Sequence, residues 1–549
     1  MFEETLLKLV KKISKQAELR QPPDPSFGDF SMPCFPLAKE RKQNPVQIAE
    51  ELAKEVKAPD FVAKVEAKGG YLNFFLKEGA LAESVITKIL KEKEKHGTSQ
   101  EGKGKTVVMD YSHPNVAKPF GIGHLRSTVI GQCLVNLFQN QGYKVVRLNY
   151  LGDWGTPFGK YIEGYRRWGD AKKLAKEPIK HLYEIYVRYN KEAEDDEELQ
   201  QQARDWFKKL EEGDKEALQL YHKFRDLSLK EFKRIYTILG VEFDSFDGEF
   251  SILPKVEATL ALLKKKGLSK IDQNALVVPM EPVPLMLKKS DEATTYGARD
   301  LASIEYRVKH YKADHMLYVV GNEQTLYFTQ VFSVAKKLGY KGTEHIKFGM
   351  YLAEGGKKMA TRKGTLVLLD KVLEETIQLA LNLIKEKNPK LANKEKVAQQ
   401  VGVGAVIFGD LVNDRVRDIM FDWEKIVQFE GDTGPYLMYS NARANSILTN
   451  VKVGKPDFTQ LKHAAEVKLV TVLGNYTMMV QNALRERKPH TLAQYLLEVS
   501  HRFNEFYHAC PVLKADDKEK AARLSLVKAT TTVLENGLAL LGIAAPKTM

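Results

Sequence analysis

Over most of the chain apolar residues recur every three or four positions, and a few short unbroken apolar runs interrupt that rhythm. In "MFEETLLKLVKKISKQ", Phe2, Leu6, Leu9, Val10 and Ile13 fall at helical spacing. Glu3 and Glu4 lie within that stretch, whereas transit peptides are poor in acids, so an ordinary amphipathic helix is expected and no secretory signal. "NPVQIAEELAKEV" predicts a second helix, with Asn44 as N-cap and Pro45 at the first helical position. "FVAKVEA" and "YLNFFL" predict strands around a Gly69-Gly70 turn. The charged, apolar-poor "KEKEKHGTSQEGKGK" then reads as a linker. A small α+β N-terminal domain over 1–104 follows from this pattern.

Beyond the linker the period alternates. "KTVVMDYS" predicts a buried strand, and from His124 the residues Leu125, Val129, Ile130, Cys133, Leu134, Leu137 and Phe138 mark a helix face. "YKVVRLNY" predicts the returning strand. Such a βαβ unit implies a doubly wound, Rossmann-type parallel sheet, with ligands outside the carboxyl ends of its strands. Residues of about 171–240 are charged and helical in pattern, as in "KEAEDDEELQQQARDWFKKLEE", and predict a helical insertion. Strand character resumes with "ALVVPMEPVPLML", "HMLYVV" and "HIKFGMYL", the last followed by the loop "AEGGKKMATRKGT". These elements form a domain over 105–370. From 371 to 549 the period is helical almost throughout, which predicts an all-α C-terminal domain.

Composition adds three constraints. A chain of 549 residues exceeds one ordinary core, so about three or four domains are expected. A net charge of +13 suits a polyanionic partner, although a lysine-rich solvated surface accounts for it equally well. Cys34, Cys133 and Cys510 lie far apart with no C-x-x-C pair. That argues against a disulfide framework and against a thiolate zinc site, and points to buried thiols in a reducing cytoplasm. No apolar run reaches the roughly 20 residues a bilayer requires.

The candidate chemistry begins with "HPNVAKPFGIGHLRST", residues 113–128. A Gly-x-Gly after a strand lets backbone approach a ligand closely, and the helix it opens presents free N–H groups and a partial positive charge. The loop completes neither G-x-G-x-x-G nor a Walker motif, which disfavours a dinucleotide dehydrogenase or a P-loop enzyme. "KKMATRKGT" lies about 230 residues downstream after another strand. Two such loops could hold a nucleoside triphosphate from opposite sides. Together they resemble the HIGH and KMSKS signatures of class I aminoacyl-tRNA synthetases, with Gly121-Ile122-Gly123-His124 matching the first and Lys358-Met359-Ala360-Thr361-Arg362 the second. "NYLGDWGTPFGK", "TTYGARDLA", "YVVGNEQTLYFTQVF" and "FEGDTGPYLMYSNARANSIL" narrow the resemblance to the arginyl-tRNA synthetase family. Two positions depart from it: Gly121 replaces the first histidine of HIGH, and Thr361 replaces a lysine that Lys363 is placed to supply.

The resemblance implies activation of L-arginine by ATP with Mg²⁺, then transfer to tRNA, by a cytoplasmic monomer without zinc. ATP contacts fall on Gly121, Gly123, His124, Lys358, Met359 and Lys363, with His124, Lys358 and Lys363 as the catalytic groups. A helix-capping histidine and solvated lysines are the plainer readings of those side chains. Arginine contacts fall on Asp110, Ser112, Asn115, Tyr296, Asp300 and Gln324. The two acids meet the guanidinium fork, Tyr296 stacks on its plane, and the three polar residues hold the amino and carboxylate groups. Taken singly, Asp300 is also a partner for Arg299 or a helix cap, and Asp110 a loop cap. Tyr436, Tyr439, Asn441 and Arg443 are candidates for unstacked anticodon bases, although core packing explains the tyrosines as well. The first domain resembles the family's tRNA-elbow domain. Two rivals stand: a tRNA-binding paralogue without activity, and a nucleotidyltransferase that uses the same ATP loop.

Overall fold

The computed structural model describes residues 2–20, 22, 24–77, 79–352, 367–420 and 422–549. The chain divides into two compact units. One comprises 1–96, 443–476 and 498–534, and the other 97–442, 477–497 and 535–549.

In the first unit, the helix Phe2–Ile13 buries Leu6 and Val10 in a small core. That core also covers a three-stranded antiparallel sheet of β1 (Phe30–Pro33), β2 (Val62–Lys68) and β3 (Tyr71–Leu76), with β3 in the middle. Sequence reading found β2 and β3 but not β1. The expected Gly69-Gly70 turn is present with both φ angles positive, at 59° and 81°. Asn44 caps the helix Pro45–Glu55, its side chain accepting from Val46 N–H at 2.9 Å. The helix Ala80–Glu92 packs against Ala464–Gly474. At its end His96 is buried, bonded to Glu92 at 2.7 Å and stacked on Tyr476.

The second unit is built on the predicted parallel sheet. Its strands are β4 (Thr106–Asp110), β5 (Lys144–Leu148), β9 (His315–Gly321) and β10 (Thr343–Phe348), in the order β10-β9-β4-β5. The order reverses at β4, so a crevice opens between the carboxyl ends of β4 and β9, where doubly wound sheets bind ligands. The helix Gly123–Asn140 joins β4 to β5 and is buried nearly all round, including Arg126, Ser127 and Thr128. It lies against the sheet and is also covered by the helix Lys394–Leu411.

The insertion is helical as expected, with helices at Ala171–Lys176, Pro178–Glu192, Glu197–Glu211 and Lys215–Leu239. "ALVVPMEPVPLML" departs from expectation. It supplies β7 (Ala275–Val278) and β8 (Leu285–Lys288), which with β6 (Lys270–Asp272) form a separate antiparallel sheet. Prolines at 279, 282 and 284 cannot donate to a ladder, which rules out a long central strand there. A short parallel pair, β11 (Tyr351–Leu352) and β12 (Ile419–Met420), completes the strands. The three cysteines are buried free thiols, and no helix is long and apolar enough to cross a membrane among the described residues.

Candidate active site

The loop leaving β4 is held in an unfavourable conformation. Ser112, His113 and Ala117 have φ of 81°, 54° and 61°, a left-handed geometry that costs a non-glycine residue on the order of 1–3 kcal/mol. Buried hydrogen bonds hold it there. Ser112 N–H donates to Ser127 Oγ at 2.8 Å, whose hydroxyl donates to the Val319 carbonyl of β9 at 2.7 Å. Ser112 Oγ shares a 2.7 Å bond with the Tyr236 hydroxyl and accepts from Thr128 at 2.9 Å. Ser112 therefore braces the loop and has no hydroxyl turned to the crevice. Asn115 is exposed and bridges Gly152. A Cβ at Gly152 would lie 2.4 Å from Asn115 Oδ1, so glycine is what lets the carboxamide rest there.

The Gly–His motif opens its helix without a side-chain cap, and nothing described lies within 4 Å of a Cβ built on Gly123. His124 is half-buried, its Nδ1 3.2 Å from the Gly121 carbonyl. Burial, with the nearby His113 and Lys118, pushes its pKa down to about 4, so the ring is neutral at pH 7. The lysine motif, including Lys358, Met359 and Lys363, lies outside the described residues, but the chain on either side of it is placed. Ile122 N–H donates to the Val367 carbonyl at 2.8 Å, and Leu369 N–H to Phe120 at 2.9 Å. On the other side, β11 pairs with β12. Next to β12, the buried Arg126 guanidinium binds Asp410 at 3.0 Å and the carbonyls of Arg417 and Arg415 at 2.8 and 3.2 Å. Both ends of that segment thus return to the Gly–His helix.

Acids and arginines line the crevice. Asp110 is buried, with Oδ2 2.7 Å from Arg307 and Oδ1 2.8 Å from His113 Nε2. Burial alone would raise its pKa, but Arg307 and His113 hold it below the usual carboxylate range. Asp153 pairs with Arg225 at 3.3 Å and accepts from Phe250 N–H at 3.0 Å, which fixes the start of the helix Glu249–Lys265. There Glu249 is buried, 2.8 Å from Arg299 Nε. Burial raises its pKa to about 7; Arg299 opposes that shift, and Asp300 and Asp153 add to it. Asp300 is half-buried on the helix Tyr296–Tyr311 and accepts from the Tyr327 hydroxyl. Burial raises its pKa too, and the charge of Asp110 reaches it. Tyr296 is 62% exposed with Arg299 4.8 Å over its ring. Gln324 is exposed in the turn after β9. Tyr150 reaches the same acids, and its buried hydroxyl has no hydrogen-bond partner among the described residues.

Asp110 and Asp300 are thus near enough for the charge of one to act on the other, and His113 stands between Asp110, which it bonds, and His124, whose pKa it lowers. Sequence reasoning missed Glu249, Tyr150 and Arg307. Among the candidate tRNA contacts, Tyr439 is exposed and Tyr436 half-buried, while Asn441 is buried and donates to the Pro546 carbonyl at 3.2 Å. Its place in the core leaves no face for a base. Arg443, in the other unit, bonds Asn504 and lies 5.0 Å over Tyr507.

A parallel sheet with a Gly–His helix at its switch point, an N-terminal domain and a helical C-terminal part define a class I aminoacyl-tRNA synthetase. Residues 85–423 match the family described as tRNA synthetases class I (R), catalytic domain; 437–549 match the DALR anticodon binding domain, and 1–76 the arginyl tRNA synthetase N terminal domain. The chain is 46% identical to arginine–tRNA ligase 2 of Bacillus anthracis over 97% of this chain and 95% of that protein. It is also 46% identical to the arginine–tRNA ligase of Clostridium beijerinckii, over 97% and 96%. The solved arginyl-tRNA synthetase of Thermus thermophilus matches with a TM-score of 0.85 at 28% identity, over 100% of this chain and 99% of that one. The chain belongs to the arginyl-tRNA synthetase family.

Proposed function

We infer that the protein is an ATP-dependent ligase that joins L-arginine to the 3′-terminal adenosine of its tRNA. The observation that carries the choice of arginine is a mismatch of charge. Asp110, Asp153 and Glu249 each have an arginine partner, whereas Asp300 has only a tyrosine hydroxyl among the described residues. One buried negative charge awaits one cation. A guanidinium fork satisfies Asp300 and Glu249 together, with Tyr296 on its plane and the Tyr150 hydroxyl at its edge. Asp110, whose oxygens are already taken, acts behind them by fixing Arg307. Lysine lacks the fork and would leave a buried acceptor unpaired, which supports discrimination of about 10⁴–10⁵ without an editing site.

The arginine carboxylate attacks the α-phosphorus of ATP and pyrophosphate leaves. A hydroxyl of the terminal adenosine then attacks the anhydride carbonyl and AMP leaves. Neither step needs a protein nucleophile, so positioning and charge stabilisation dominate. Gly121 and Gly123 let the nucleotide approach, and His124 acts as a neutral donor. Positive charge for the pyrophosphate falls to Lys358 and Lys363, with Met359 beside the base. Mg²⁺ would accompany the ATP, since it favours phosphate and water oxygens over a dedicated protein cage. Residues 1–104 are assigned to the tRNA elbow and 371–549 to the anticodon, in a monomer working in the cytoplasm. The test is aminoacylation of total tRNA with each amino acid in turn. Arginine is expected to be charged best, and faster charging by any other would refute the reading.

A further inference from the structure

The helix Lys215–Leu239 belongs to the charged insertion, yet one side of it bonds loops of the parallel sheet. Arg225, Ser228 and Tyr236 fall on that side at helical spacing. Ser228 Oγ accepts from Ala117 N–H at 2.9 Å, and the Tyr236 hydroxyl accepts from Asn149 Nδ2 at 2.7 Å. Arg225 makes two contacts of its own. Its Nε lies 3.3 Å from Asp153 Oδ2, and its Nη2 donates to the Phe246 carbonyl at 2.9 Å. The Arg225 side chain is 24% exposed and that of Asp153 1%.

Both partners of Arg225 bear on the backbone that carries Glu249. Phe246 precedes it by three residues, and Asp153 Oδ1 accepts from the N–H of Phe250, the residue after it, at 3.0 Å. Glu249 N–H itself donates to the Leu151 carbonyl at 3.2 Å, two residues before Asp153. Gly248 permits this approach, because a Cβ there would collide with the Asp153 carboxylate. We propose that Arg225 is a positioning residue for the amino-acid site: by tying Asp153 to the Phe246 carbonyl it fixes the start of the helix Glu249–Lys265, and with it the place where the Glu249 carboxylate meets a guanidinium. The insertion thereby sets the affinity for arginine through backbone alone. The inference rests on the arginine–tRNA ligase reading above.

The test is arginine-dependent pyrophosphate exchange, with tRNA present, in Arg225→Gln and Arg225→Lys. In Arg225→Gln the KM for arginine is expected to rise roughly tenfold to hundredfold, the range for a displaced binding group. The KM for ATP and kcat should each stay within about threefold, since only ground-state binding of the amino acid is weakened. Lysine keeps the charge but not the fixed fork, so Arg225→Lys is expected to recover part of the loss; if the glutamine variant does not fold, the lysine variant carries the comparison with wild type. Asp153→Asn keeps an oxygen for Phe250 N–H and removes the charge. Adding Arg225→Gln to it should change the KM for arginine by no more than about twofold, because the two side chains act as one unit. An unchanged KM for arginine, an equal rise in the KM for ATP, or additive effects in the double variant would each overturn the proposal. Wild type without arginine-dependent exchange would instead defeat the ligase reading itself, which is a distinct outcome.

Discussion

Glu249 offers the sharpest test of the charge argument. Glu249 is 7% exposed, and burial pushes its pKa up to about 7, so the carboxyl is mostly protonated at pH 6 and mostly ionised at pH 8. A guanidinium favours the ionised form, so binding arginine at pH 7 is expected to release about half a proton. Arginine affinity is expected to fall about tenfold for each pH unit below 7, and to be flat above it. Stability of the empty protein runs the other way. An acid whose folded pKa is raised stabilises the fold while protonated, and that contribution is lost between about pH 4.5 and 7, on the order of 3 kcal/mol for this group. Glu249→Gln is expected to abolish the pH dependence of arginine binding and to weaken binding at pH 8 by about 2–4 kcal/mol, some thirtyfold to a thousandfold. Calorimetry of arginine binding at pH 7 in two buffers of different ionisation enthalpy counts the protons directly. Zero release, or a variant that binds as tightly as wild type at pH 8, would refute the reasoning.

Two further substitutions probe the frame around the site. Arg126→Met leaves the Asp410 carboxylate buried without its cation, which is expected to cost about 3–5 kcal/mol; because burial already raises the Asp410 pKa, the loss in denaturant melts should be larger at pH 8 than at pH 5. Equal losses at both pH values would argue against a stranded charge. Gly152→Ala puts a Cβ 2.4 Å from Asn115 Oδ1, and since only that side-chain end must turn away, the melting temperature should move by no more than about 4 °C. The kcat/KM for arginine should fall about tenfold, and an unchanged value would remove Asn115 from the site.

The parallel sheet was legible because β4, β5 and β9 each hold a short apolar run followed by a helix or loop signal, and the Gly–His motif because glycine and histidine at a strand end serve no core. Other features were hidden for physical reasons. "FDGEFSIL" reads as any helix start with an acid in its first turn, a place the helix dipole alone favours. Only the fold, through Asp153 and the Leu151 carbonyl that accepts from Glu249 N–H, carries Glu249 to the crevice. Ser112 was expected to face the substrate, but a left-handed φ reverses a side chain's direction, and nothing in "DYSHPN" announces one. Asn441 lies in a segment whose polar and aromatic residues alternate between core and surface around the helix Gly434–Ile447. Composition cannot tell which of them faces a nucleic acid.

The same limit applies to charge. Acids and arginines are scattered along this part of the chain, and their count does not reveal which are paired. Once folded, Arg307, Arg225 and Arg299 each settle on one carboxylate. Leaving a charge unmatched in a buried crevice is costly, and the folded protein bears that cost at Asp300; burial makes the carboxyls of both Asp300 and Glu249 hold protons more tightly than they would in water. On the proposed reading, a ligand guanidinium would relieve the excess that three internal guanidiniums leave behind. Selectivity would then follow from the way the protein has already used the substrate's own chemistry three times, with one place kept open.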